Sequence, residues 1–170
     1  IDDGSCQEPP ANDQLANAEA LTCGSFADGT LLFSTDDQNL IDSEFAGNAV
    51  ASSGVWYVLN AANDQQVTVS TCDTPTNTAD TDYTQDTKIF VYTVALDGSL
   101  AAMASNDDGC GTGFLSSATF NVVTGTDYYI SISEYSAITN GNDFVVSVAC
   151  ADCDNVPTND ECEDAIATVD

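Results

Sequence analysis

The sequence contains no histidine, no arginine and a single lysine, Lys88, against 28 Asp and Glu residues. A Ser or Cys nucleophile needs a neighbouring general base, most often histidine, so the common catalytic triads are excluded. We expect Lys88 to lie in a strand and to point outward rather than to act as a base. Pairs of carboxylates hydrolyse glycosidic bonds in many enzymes, but among 28 acids such pairs arise without function. The sequence therefore predicts a protein that is not an enzyme.

The shortage of basic residues also limits the partners. The formal net charge of −27 repels nucleic acid and anionic lipid, because both are bound through Lys and Arg contacts. No apolar run approaches the roughly 18 to 20 residues that a membrane-spanning helix needs. We therefore expect neither nucleic-acid binding nor membrane insertion. The acidic excess itself has three alternative explanations, which are Ca²⁺ sites, adaptation to a salty habitat, and highly soluble loops.

Seven cysteines are present, more than a cytosolic chain of this length usually carries. Without histidine a zinc site would need almost all of its ligands from thiolates. Cys150 and Cys153 have the spacing of a redox or zinc motif, but they lead into a proline-containing segment and no second such pair exists. Disulfides in an oxidising compartment fit better, which predicts a secreted or cell-surface protein.

Apolar residues alternate with polar ones along most of the chain, which is typical of strands with one buried face. Dipeptides such as Asp28-Gly29 and Asp108-Gly109 mark turns between these runs. Helical periodicity is confined to residues 12–20. The pattern predicts an all-β protein, an antiparallel jelly-roll β-sandwich of eight or nine strands stapled by disulfides. The predicted strands are 20–25, 30–34, 54–60, 66–72, 88–94, 100–105, 117–123, 127–133 and 143–149.

The sequence also repeats part of itself. Residues 6–21 and 153–168 lie 147 positions apart and share a Cys, a Pro, an Asn-Asp pair and two Ala. This repeat predicts a linker over residues 1–10, a β-sandwich domain over 11–150, and a linker with the start of the next repeat over 151–170. Prolines in both copies would stiffen the linker. The alternative is chance similarity between two segments rich in Asp and Asn.

Several motifs occur in a familiar order, including Val55-Trp56-Tyr57, the DTKIFVY segment at 86–92, the NDDGC segment at 106–110 and TDYYISI at 126–132. Over residues 11–150 the chain resembles the β-sandwich domains related to bacterial pre-peptidase C-terminal domains. The resemblance implies a jelly-roll domain of a large secreted or cell-surface protein of the kind found in marine and gliding Bacteroidetes. Such domains serve as accessory, adhesive and stalk modules alike.

The cysteines of this chain allow several pairings, since spacing alone does not fix connectivity. A further cysteine that the similar domains often have before the NDD loop is absent here. A strand end and the acidic loop would be joined by one bond, and the first and last strands by another. We predict the pairs Cys72–Cys110, Cys23–Cys150 and Cys153–Cys162, which leaves Cys6 unpaired or bonded to a preceding unit.

The acidic loop that contains Asn106, Asp107 and Asp108 is the best candidate for a cation site. Ca²⁺ is bound by six to eight oxygen ligands, and a glycine turn lets such a loop fold around the ion. Asp86 would approach this loop if the Cys72–Cys110 bond forms, and Asp36 and Asp37 are possible additional ligands. The alternative is a turn in which these side chains bond to their own backbone without a metal.

Aromatic residues suggest a second kind of site. Trp56 and Tyr57 are adjacent in a predicted strand, so one should face the core and the other the solvent. Tyr128, Tyr129 and Tyr135 would form a sugar-stacking surface if they are exposed, whereas their period-2 placement equally fits core packing. The sequence assigns no residue to a ligand.

Taken together, these features predict a structural or adhesive repeat of an extracellular filament or giant cell-surface adhesin. The expected partners are neighbouring copies of the same domain, with extracellular glycans as a further candidate. The alternative is a carbohydrate- or substrate-binding accessory module of a secreted hydrolase. Many further copies in the parent sequence would favour the array, and one copy beside a catalytic domain would favour the accessory module.

Overall fold

The computed structural model describes residues 8–35, 53–75, 86–111, 113–135 and 143–152. Nine strands and one short 3₁₀ turn, Leu15–Asn17, are present in these residues. The strands are β1 (Glu19–Leu21), β2 (Phe26–Thr30), β3 (Gly54–Asn60), β4 (Gln65–Ser70), β5 (Thr87–Val94), β6 (Leu100–Asp107), β7 (Ser117–Val122), β8 (Asp127–Glu134) and β9 (Asp143–Asp152).

The strands form two sheets packed as a sandwich. One sheet has the order β1-β3-β8-β5-β6, and the other has the order β2-β9-β4-β7. Without β1, the two sheets show the strand order of an eight-stranded jelly roll, which confirms the predicted architecture. The strand β1 is an addition to this scheme, and it pairs in parallel with β3, with Glu19 opposite Tyr57.

The core lies between the two sheets because each strand turns every second residue inward. Val67 and Val69 of β4, Ile89 and Val91 of β5, and Ile130 of β8 are fully buried there. Their β-branched side chains favour strands and fill the space between the sheets. This alternation explains why seven of the predicted strands coincide with β3 to β9 to within a few residues.

A second apolar cluster covers the outer face of the larger sheet. Trp56, Phe90 and Tyr92 are buried there, and Leu15 and Ala18, which precede β1, pack against them. The prediction that one of Trp56 and Tyr57 would face solvent is therefore wrong, because both are 0% exposed. Both faces of this sheet are covered at β3, and alternation in sequence does not distinguish solvent from a second packed layer.

The first two strands differ from the prediction. The chain turns at Gly24, which has a φ of +78°, and β2 then runs through the Asp28-Gly29 dipeptide that the sequence marked as a turn. Residues 31–34 turn instead, with the Ser34 N–H donating to Leu31 O at 3.1 Å. Gly29 lies in the strand because β2 pairs with β9, where it is opposite Phe144. The position needs a glycine because a Cβ there would lie 2.3 Å from Phe144 Cζ.

Two disulfides join the elements as predicted. Cys23–Cys150 links the β1–β2 turn to β9, and Cys72–Cys110 links the end of β4 to the loop after β6. Cys6, Cys153 and Cys162 lie outside the described residues. Within the part of the chain that the structure describes, no helix is long and apolar enough to span a membrane.

Candidate functional site

Three carboxylates meet at one end of the β5–β6 pair. Asp86 immediately precedes β5, Asp107 ends β6 and Asp108 follows it. The antiparallel register places Lys88 opposite Asp107, which brings the start of β5 beside the end of β6. Carboxylate oxygens of the three Asp residues lie within 4.8 Å of one another, and we call this group the acidic cluster. The cluster brings together three of the four residues predicted as cation ligands.

The fourth predicted ligand, Asn106, fastens the loop to the neighbouring strand. Its Oδ1 accepts a hydrogen bond from the Ser117 N–H at 2.8 Å. Gly109 packs against the same amide, where a Cβ would lie 2.2 Å from Asn106 Oδ1. Cys110 N–H donates to Leu115 O at 3.1 Å, and the Cys72–Cys110 bond anchors the loop to β4. Asn106 therefore supports the shape of the loop that presents Asp107 and Asp108.

A buried hydroxyl network lies next to the acidic cluster, and no pattern in the sequence predicts it. Thr71 Oγ1 is 2.7 Å from Thr87 Oγ1 and accepts from the Ser116 N–H at 3.0 Å. The Ser116 hydroxyl also donates to Thr87 O. These bonds hold the start of β5, and with it Asp86, against the chain that enters β7. Buried Thr and Ser need such partners, but the partners are distant in sequence.

The acidic cluster is electrostatically strained. Burial and the nearby charges of Asp107 and Asp108 raise the pKa of Asp86 to about 6, although Lys88 opposes the rise. Burial and Asp108 also raise the pKa of Asp107. The Oδ1 atoms of Asp86 and Asp107 are buried and accept no hydrogen bond from the described residues. A divalent cation would relieve the repulsion and satisfy these oxygens.

The sequence predicted that Lys88 points outward into solvent, and this prediction is wrong, because its side chain is 0% exposed. It points away from the main core, yet the outer face of its sheet is covered. The Lys88 ammonium donates to Tyr135 O at 3.4 Å and lies 4.4 Å from the centre of the Tyr135 ring. Burial lowers the pKa of this amine, and the carboxylates of Asp107 and Asp86 counteract the fall.

The three tyrosines that the sequence suggested as a sugar-stacking surface are placed differently. Tyr128 belongs to the main core, where its ring centre lies 5.6 Å from that of Phe120. Tyr129 packs against the outer apolar cluster, and Tyr135 covers Lys88. These contacts favour the alternative of core packing for Tyr128. Asp36 and Asp37, the additional ligand candidates, lie outside the described residues.

Comparison with known proteins gives little guidance. No family model matches the chain, and no curated protein matches it either. One similar solved structure is that of CorA, a surface-associated copper-binding protein important in copper acquisition by Methylomicrobium album BG8. The two chains share 10% sequence identity with a TM-score of 0.44, over 79% of this chain and 98% of that chain. The resemblance to pre-peptidase C-terminal domains stays a prediction.

Proposed function

We propose that this chain is a structural or adhesive repeat of an extracellular filament or giant cell-surface adhesin. In such an array the tail of one unit, residues 153–168, forms the segment of the next unit that corresponds to its head, residues 6–21. The two disulfides already indicate an oxidising, extracytoplasmic location. The observation that carries the proposal is the role of the residues that the head and the tail have in common.

The head segment is held on the sandwich by a small set of hydrogen bonds. Asn12 Nδ2 donates to Trp56 O at 3.1 Å, and the Trp56 N–H donates to Asn12 O at 2.8 Å. Asp13 accepts from the N–H and the hydroxyl of Thr35, both at 2.6 Å. The Asp13 N–H donates to Pro10 O at 3.0 Å, which closes a turn. We call the group Pro10, Asn12 and Asp13 the head clip.

The tail repeats the head clip residue by residue. Pro157, Asn159 and Asp160 correspond to Pro10, Asn12 and Asp13, and Ala165 corresponds to Ala18, which packs on the outer apolar cluster. Chance similarity of acidic linkers would not select the residues that make defined contacts. The match therefore supports a tail that docks on the β3 strand of a following copy.

Calcium is proposed as the ion of the acidic cluster. Its donors are carboxylate oxygens, which suit hard cations such as Ca²⁺ better than copper or zinc. Three Asp side chains supply up to six oxygens, and water would complete the shell. A bound cation would stiffen the loop that Cys72–Cys110 anchors, a useful property in an extracellular rod.

A catalytic role has no support in the chemistry of the described residues. The chain has no histidine, and its single lysine is buried beneath Tyr135. We therefore propose a protein that is not an enzyme. An accessory module of a secreted hydrolase would also bind a surface or substrate, but that alternative does not explain why the tail repeats the residues of the head clip.

The test joins two copies so that the tail of the first becomes the head of the second. Residue 167 of one copy is followed directly by residue 21 of another, which retains the buried Leu21. We expect two folded sandwiches, seen as two units by small-angle scattering. Replacing both Asn159 and Asp160 by alanine should destabilise only the second unit, whereas the same change at Asn12 and Asp13 should destabilise only the first.

The proposal is contradicted if the second unit stays unfolded, or if its stability is the same with and without the Asn159 and Asp160 changes. Imaging of the native protein gives an independent check. Negative-stain micrographs should show a beaded or continuous fibre, and isolated globular particles would count against the array.

A further inference from the structure

A cleft opens between the two sheets at the edge formed by β1 and β2. Glu19 of β1 lies beside Tyr57 of β3, and Gly29 of β2 lies beside Phe144 of β9, so the cleft has one wall from each sheet. Its volume of about 710 Å³ is in the range of small-ligand sites in proteins. This cleft is separate from the acidic cluster and shares no residue with it.

The hydroxyl of Tyr57 lies in the cleft wall without a hydrogen-bond partner among the described residues. The residue is 0% exposed, and its ring packs edge-on against Phe144 with 6.4 Å between the ring centres. Burial raises the pKa of this hydroxyl to about 12, and the adjacent Asn12 amide opposes the rise. The Asn12 Nδ2 donates to Trp56 O at 3.1 Å and does not reach Tyr57 Oη with hydrogen-bond geometry. A buried hydroxyl without a partner is costly, so an unpaired one at a cleft suggests that a ligand completes it.

Gly29 lets the backbone of β2 approach this hydroxyl closely. A Cβ at position 29 would lie 2.5 Å from Tyr57 Oη and 2.3 Å from Phe144 Cζ. Any other residue would therefore crowd the hydroxyl. A glycine inside a strand weakens the strand, so its presence there often marks a place where another group approaches the backbone closely.

The rim of the cleft is negatively charged. Glu19, Asp28 and Asp143 line it, all three are exposed, and Thr30 adds a hydroxyl. No basic side chain offsets them there, since the only one in the sequence is the buried Lys88. Carboxylates on a cleft rim attract an ammonium group and accept hydrogen bonds from hydroxyls.

We propose that the cleft binds an amine-bearing sugar, whose ammonium group meets the acidic rim that Glu19, Asp28 and Asp143 contribute to and whose hydroxyl pairs with Tyr57 Oη. A sugar with a free amine carries both a cation for the acidic rim and hydroxyls that can pair with the Tyr57 hydroxyl. The inference gives the proposed adhesive repeat a class of ligand. The binding itself is argued from the cleft, and only its use in adhesion rests on the proposed function. Binding is measured on the single 170-residue chain, so its failure is distinct from failure of the joined-copy test.

The experiment is calorimetric titration of the chain with a glucosamine trimer at about pH 6, where a sugar amine is protonated. Tyr57→Phe should weaken binding about 5- to 10-fold, because one hydrogen bond contributes about 1 kcal/mol and 1.4 kcal/mol is tenfold. Its melting temperature should not fall, because it removes a hydroxyl without a partner. Asp28→Asn should weaken binding about tenfold or more, as expected for a lost charge-assisted bond.

Matched controls are Tyr135→Phe and Asp97→Asn, which make the same chemical changes outside the cleft and should leave the affinity unchanged. The N-acetylated trimer should bind at least tenfold more weakly, since it lacks the charge. Absence of glucosamine-trimer binding, or equal binding by Tyr57→Phe, would overturn the proposal. Trilysine binding as tightly as the sugar would overturn the assignment to a sugar, because charge alone would then suffice.

Discussion

Replacing Asp86 by asparagine should stabilise the metal-free protein near neutral pH. The pKa of Asp86 is raised to about 6 by burial and by the neighbouring Asp107 and Asp108. A rise of about two pKa units corresponds to roughly 3 kcal/mol. Because the side chain is only partly buried, solvent screening reduces the expected gain to about 1–1.5 kcal/mol. For a chain of this size, that gain corresponds to an increase of roughly 2–5 °C in melting temperature.

The pH dependence gives the sign of the effect. The folded protein holds the Asp86 proton more tightly than the unfolded chain, so this site favours folding below pH 4 and the advantage disappears as the pH rises through about 6. The wild type therefore bears the full penalty at pH 7.5 and recovers about half of it near pH 5. The stability difference between Asp86→Asn and the wild type should shrink accordingly.

Calcium should reverse the order of the two proteins. At pH 7.5 the ion should raise the melting temperature of the wild type and raise that of Asp86→Asn much less, because one ligand charge is gone. Differential scanning fluorimetry with EDTA and with Ca²⁺ measures both effects. Asp97→Asn is the control, since it removes one charge from the turn at the other end of the same hairpin, about 25 Å away. Equal calcium responses in all three proteins would refute the site.

Three further changes test how the fold is held together, each by guanidinium unfolding. Asp13→Ala should cost about 2–3 kcal/mol, because two bonds from Thr35 to a carboxylate are lost, and an unchanged midpoint would contradict the head clip. Trp56→Ala should cost about 3–5 kcal/mol, whereas a loss below about 1 kcal/mol would show that the outer cluster is not packed. Replacing Cys72 and Cys110 by alanine should cost about 4 kcal/mol for a separation of 38 residues, and no loss would contradict the entropic argument.

The sequence was sufficient for features that depend on local pattern. Alternation in the run that ends at Val69 reports burial of one face, and the continuous apolar run of the DTKIFVY segment fits a strand that is buried on both faces. Spacing alone did not fix the disulfides, but the expected sandwich did suggest both pairs. Cys72–Cys110 joins a strand end to the acidic loop, and Cys23–Cys150 joins the first strands to the last. Asp86 and the 107–108 pair could be assigned to one cluster for the same reason.

Features that depend on distant partners were not predictable. Asp28-Gly29 has the composition of a turn, and only the pairing of β2 with β9, which puts Phe144 against position 29, shows why a glycine is needed inside this strand. Lys88 is buried because Tyr135, which is 47 residues away, covers it. Both cases involve one side chain occupying the space beside another, which a pattern within a single segment cannot reveal.

The position of Cys23–Cys150 predicts how a unit would respond to tension within an array. The head enters at β1 and the tail leaves from β9, and the disulfide joins the chain near both points. A pulling force applied at the two ends would therefore pass through the bond, and the 127-residue stretch between the cysteines could not extend. Under reducing conditions that stretch would be released and would lengthen by about 430 Å, at about 3.4 Å per residue. Single-molecule force spectroscopy of joined copies measures this directly. Steps of the full length under oxidising conditions would show that the Cys23–Cys150 bond does not form in the array, and the mechanical part of the proposed role would fail with it.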